Sequence, residues 1–178
     1  YPSCSYTHRL ADCAVALSKR CKANDIAEVH AELPNFHYAI LRHDRPDTEI
    51  QARFSLPFVI AACLVQGRLT ARQLANPRAA GKEIWRLIDR THIHQVVPLR
   101  PDMNFDPEQP DRLRVRLISG EVIEERCAFP EGSPNVPVSR ATILAKYAEN
   151  AAPLRVHPDL QSWAGSPDLA AFIELVTA

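Results

Sequence analysis

Very little in this sequence marks a cofactor, a membrane or a nucleic acid. Five glycines in 178 residues leave no glycine-rich loop to cradle a phosphate, and neither G-x-S-x-G nor H-E-x-x-H occurs. Basic and acidic residues number 21 each, so the formal charge is zero. Neither a polyanion nor an anionic membrane surface gains electrostatic support from that balance. No apolar run approaches the roughly 20 residues that span a bilayer; Leu56 to Val65 reaches only the length of a buried helix. There is no signal-peptide pattern. The five cysteines form no C-x-x-C pair, which argues against zinc-ribbon and iron–sulfur centres and for free thiols in a reducing, cytoplasmic setting. The only methionine is Met103, so a chain opening on Tyr1 is expected to belong to a longer one.

What is present reads as a soluble α+β chain. Apolar residues make up 46%, enough for a core, and 24% are charged. Most of the 15 prolines cluster in connections, as at Pro98, Pro101, Pro107 and Pro110. Leu10, Ala14, Leu17 and Cys21 form the stripe of an amphipathic helix starting near Thr7. Residues 26–33 alternate as a half-buried strand, with Ala27, Val29, Ala31 and Leu33 inward and Ile26, Glu28, His30 and Glu32 outward. Ser55 can cap a helix with Pro57 in its first turn. Phe58 to Val65 leave that helix no polar face, so it must be buried nearly all round. Shorter helical pieces follow near 70–75 and 78–90, then a strand near 92–97. Arg112 to Phe129 is the clearest hairpin, with its turn at Ser119-Gly120 and Glu121, Glu124 and Glu125 able to face Arg112, Arg114 and Arg116. Ser139 caps a helix, and Ser166-Pro167 opens a last one carrying Leu169, Phe172, Ile173 and Val176. Helices and strands mix irregularly, which favours α+β over a doubly wound sheet.

Two segments could carry chemistry. Ser3, Ser5, Thr7, His8 and Arg9 gather at the first helix start, where backbone N–H groups and the positive end of the helix dipole favour a carboxylate. An imidazole there is placed for proton transfer; the plain alternative is a capped, solvated helix start. Arg42, His43, Asp44 and Arg45 form the densest charged run, ahead of Arg53 and Ser55 at another helix start. Guanidinium groups grip carboxylates bidentately, so this run suits a di- or tricarboxylate, against a solvated loop with local ion pairs. His92 and His94 share a strand face, but no third ligand stands near them in sequence. No metal is expected.

Four stretches in register resemble the C-terminal part of the MmgE/PrpD family. Tyr1-Pro2-Ser3-Cys4-Ser5-Tyr6-Thr7-His8 is similar to its P-S-C-x-x-T-H stretch. Leu41-Arg42-His43-Asp44-Arg45-Pro46 and Ala52-Arg53-Phe54-Ser55-Leu56-Pro57-Phe58-Val59 match the run into its buried helix. Gly132-Ser133-Pro134-Asn135-Val136-Pro137-Val138-Ser139, continuing to Ala145-Lys146-Tyr147, resembles its G-S-P-x-x-P-x-S…A-K-[FY] signature. The resemblance implies a two-domain enzyme with its site in a cleft. Residues 1–129 would be a small α+β lid, and residues 130–178 would return to an all-helical domain whose main part lies upstream. It implies a lyase or isomerase that removes a proton beside a carboxylate of a small di- or tricarboxylate, without cofactor or metal. Members include 2-methylcitrate dehydratases, cis-aconitate decarboxylases and an iminodisuccinate epimerase, and the residues do not choose among these. His8 would line the cleft as the catalytic group, with Ser3, Arg53 and Ser55 at cleft-side positions. To these the residue pattern itself adds Arg9, Arg42 and His43 as substrate-binding candidates. Neither nucleic acid nor membrane is an expected partner, and a homodimer is. Other acid–base groups, a histidine and an aspartate, would come from the upstream domain, so this piece alone is expected to be inactive. The alternative is a non-catalytic binding or assembly module with the same lid.

Overall fold

The computed structural model describes residues 1–152. The chain divides after Pro137 into two units. In the first, helices cover one face of a four-stranded sheet of order β2-β1-β3-β4. The strands are β1 (Ile26–Pro34), β2 (Thr91–Val96), β3 (Asp111–Leu117) and β4 (Val122–Cys127). Strand β1 pairs parallel to β2 and antiparallel to β3, and β3 pairs antiparallel to β4. All four expected strands are therefore present in one sheet. The hairpin turn is where Ser119-Gly120 predicts it, with Gly120 at φ +90°, a conformation open to glycine at little steric cost.

Helix α1 (His8–Ser18) follows a 3-10 turn at Ser5–Thr7 and packs on β3 and β4. Its buried set, Arg9, Leu10, Ala11, Cys13, Ala14 and Leu17, is wider than the expected stripe and has an arginine at its head. Short helices α2 (Asn35–Tyr38) and α3 (Glu49–Arg53) precede α4 (Leu56–Gln66). The Ser55 hydroxyl caps α4 by accepting from the Phe58 N–H at 3.3 Å, and Gly67 ends it at φ +69°. Leu56 to Leu64 are all buried, as a helix without a polar face requires. It packs on α1, α3 and α6 (Lys82–Ile88), while α5 (Ala71–Ala75) packs on α3. In the second unit, α7 (Arg140–Ala151) starts at Ser139, whose hydroxyl accepts from the Thr142 N–H at 3.0 Å. The helix expected near 167–177 lies outside the described residues.

One strand differs from its expected pattern. Val29, Ala31 and Leu33 face the core, but so does Ile26, fully buried. The pairing of β1 with β3 shifts between Ile26 and Glu28, and that irregularity turns Ile26 inward.

Candidate active site

The opening segment is tied down by its own backbone. The Cys4 N–H donates to the Arg53 carbonyl at 2.9 Å, which sets residues 1–8 against the end of α3. Thr7 is fully buried and its hydroxyl donates to the Cys4 carbonyl at 2.8 Å. With that proton committed, the 2.8 Å contact between Ser3 Oγ and Thr7 Oγ1 has Ser3 as donor. Thr7 does not cap α1 with its side chain, and the His8 N–H bonds to the Ser5 carbonyl. The 3-10 turn has taken up part of the helix start on which a pure backbone anion site would depend, so charge recognition here falls to side chains.

His8 Nε2 lies 3.1 Å from the Ser3 carbonyl oxygen. A carbonyl only accepts, so the neutral ring carries its proton on Nε2 and its lone pair on Nδ1. The Tyr1 ring meets the imidazole edge-on at 5.3 Å, and the Tyr1 hydroxyl donates to Asp12 at 2.6 Å. Burial, then the Asp12 carboxylate, holds that hydroxyl firmly protonated. Arg53 reaches the Pro2 carbonyl at 3.3 Å and pairs with Glu49 at 2.6 Å. Ser3, His8 and Arg53 therefore come together around residues 2–4.

The remaining candidates do not join them in this way. Arg9 is fully buried: its guanidinium donates to the buried Asp111 carboxylate and, at 3.3 Å, to the Ala128 carbonyl, with the Phe105 ring 5.2 Å away. It faces inward, not toward an anion in solvent, because it sits in register with Cys13 and Leu17 on the buried face of α1. Ser55 is likewise buried, with its hydroxyl spent on the cap of α4. Arg42 is exposed and bonds the Ala39 carbonyl at 2.9 Å, and His43 is half-buried. Their neighbours fasten the loop: Asp44 accepts from the Tyr38 hydroxyl at 2.6 Å, and Arg45 pairs with Asp89 over the Trp85 ring.

Three titratable groups behind α1 escape the sequence reading. Burial pushes the Asp111 carboxyl up to about 7, against the pull of Arg9. His37 stacks on Tyr6 at 4.1 Å, and burial followed by the Arg9 charge drives its pKa down to about 4, so it is neutral. Arg100 holds Asp106 low in a 2.6 Å pair that braces the loop carrying Phe105. Asp111 had a signal: it stands two residues before Leu113 and four before Val115, in the inward phase of the strand.

The outer face of the sheet is a polar lattice. Arg112 pairs with Glu32 at 2.6 Å and Arg116 with Glu28 at 2.7 Å, both across β1, while Arg114 meets Glu124 at 3.1 Å. Acids do neutralise the arginine row, but mostly those of β1; Glu125 instead pairs with Arg20. The parallel register also lays His30 against His92 and His94, with ring centroids 5.0 and 5.2 Å apart. Sequence spacing could not supply that third imidazole. Among the described residues, no group of three His, Cys, Asp or Glu is disposed to hold a metal ion, and no helix is long and apolar enough to cross a membrane.

A comparison with curated proteins found no match. The family model for the MmgE/PrpD C-terminal domain matches residues 1–161. That span takes in the sheet, the helices that cover it and the His8 segment, so the chain belongs to the MmgE/PrpD family, as its C-terminal domain.

Proposed function

We propose that this chain is the C-terminal part of a cytoplasmic MmgE/PrpD-type lyase or isomerase that removes a proton beside a carboxylate of a small di- or tricarboxylate. The family match over residues 1–161 carries this reading. The bonds around His8 support it. With Nε2–H donated to the Ser3 carbonyl, the ring's proton acceptor is Nδ1. A neutral imidazole so oriented takes a proton from carbon in the step that forms the enolate-like intermediate. Arg53, half-exposed beside the same segment, supplies a cation for a substrate carboxylate. The intermediate then expels a leaving group or is re-protonated, which makes the difference between a dehydratase and an epimerase. An upstream helical domain contributes the other acid–base groups, and the enzyme works as a homodimer.

The test is turnover by the full-length protein on 2-methylcitrate, cis-aconitate and iminodisuccinate, each followed separately. Saturable turnover of one of them is expected. A protein that binds these acids and converts none would be a binding module on the same fold.

A further inference from the structure

Arg9 is a fully buried arginine at the very start of α1, beside the imidazole assigned to proton transfer. Successive residues on a helix point about 100° apart, so the direction of Arg9 sets that of His8. The Arg9 guanidinium is held on three sides. Nη2 donates to Asp111, where β3 begins; Nη1 donates to the Ala128 carbonyl at 3.3 Å, just after β4 ends; and the ring of Phe105 lies 5.2 Å away. One planar group thus joins the first turn of α1 to both open ends of the β3–β4 hairpin. Lysine, a point charge without the planar fork, would not fix the same two directions.

As a stabilising device the pair is poor. Arg9 Nε and Asp111 Oδ2 are buried with no hydrogen-bond partner. Replacing such a pair with apolar groups is often neutral or stabilising. What it offers is direction, since hydrogen bonds fix an angle and apolar contacts do not. We propose that Arg9 and Asp111 are positioning residues, a buried pair that locks the first turn of α1 to the hairpin and so aims the His8 imidazole. This rests on the assignment of His8 to proton transfer.

The test uses the full-length protein with Asp111→Asn, Arg9→Lys and the apolar double variant Arg9→Met/Asp111→Leu. The double variant is expected to keep the melting temperature while kcat falls about tenfold to a hundredfold, the scale of a small misplacement of a reacting group, with KM changing far less. Added to His8→Ala, the same double change should cost no further turnover, because the group it aims is gone. In NMR spectra, the His8 imidazole resonances should move in all three variants while those of His92 and His94, on the outer sheet face, stay fixed. A folded double variant with wild-type kcat and unmoved His8 resonances would overturn the proposal. If His8→Ala itself keeps turnover, the catalytic assignment has failed instead, and the His8 resonances alone then decide whether the pair aims the ring.

Discussion

At the scale of residues, His8 and Arg9 are adjacent in sequence and opposite in environment. His8 is half-buried beside Ser3 and Tyr1, and Arg9 is sealed inside. If the proposed function holds, His8→Ala in the full-length protein is expected to cut kcat by about 10²- to 10⁴-fold, the usual contribution of a general base. The melting temperature should barely change, and wild-type turnover would reduce His8 to an ordinary helix-start residue. Behind it, Asp111 and His37 make opposite contributions to stability against pH. Asp111 is raised to about 7 in the fold, so between its ordinary carboxylate range and 7 the folded state holds a proton the unfolded state lacks. Its share of stability therefore grows as pH falls through 7. His37 is lowered to about 4, so between 6.5 and 4 the unfolded state binds the extra proton and stability is lost on acidification. Around them lie Arg9 on α1, Glu32 on β1 and the thiols of Cys13 and Cys127. Melting curves at pH 7 and pH 5 should separate the two. Acidification should cost Asp111→Asn more than wild type and His37→Phe less. Only part of this was legible at single positions: His8 carries a family motif, while the inward phase of Asp111 in its strand is a signal the sequence reading passes over. The fate of Arg9 was not, because a polar head on an apolar stripe reads as solvated until a partner about a hundred residues away comes beside it.

Among the elements, α4 shows how a motif residue can act through the fold. Ser55 belongs to a family stretch, yet its hydroxyl is buried on the Phe58 N–H. Losing an N-cap costs about 1 kcal/mol, so Ser55→Ala should lower the unfolding free energy by that order and leave KM unchanged. A changed KM with unchanged stability would return Ser55 to the cleft. Strand periods, the Ser119-Gly120 turn and both serine caps could be read directly, because each is set by neighbours in sequence. Partner choice between strands could not. Nothing local says that Glu28 and Glu32, rather than Glu121 and Glu125, will face Arg116 and Arg112, or that His30 will lie between His92 and His94. The bulge that turns Ile26 inward is equally silent, since strict alternation predicts the opposite face.

For the whole molecule, the sheet order β2-β1-β3-β4 places the first strand made at an inner position, with both neighbours still to come. Glu32 and Arg112, which pair across β1 and β3, are 80 residues apart in the chain. At a synthesis rate of roughly 5–20 residues per second, β1 leaves the ribosome several seconds before β3 exists. During that interval Val29, Ala31 and Leu33 and two open strand edges have only α1 and the segments following β1 for cover. Closing so long a loop is costly before any contact rewards it, whereas the β3–β4 hairpin closes locally. Refolding should therefore be governed by the meeting of β1 with the finished hairpin. Val115→Ala, in the core face of β3, is expected to slow refolding in stopped-flow traces, while Val122→Ala, exposed on the outer strand, should leave the rate nearly unchanged. A topology that puts the earliest strand in the middle makes this chain depend, while it is being synthesised, on whatever shields an unpaired strand.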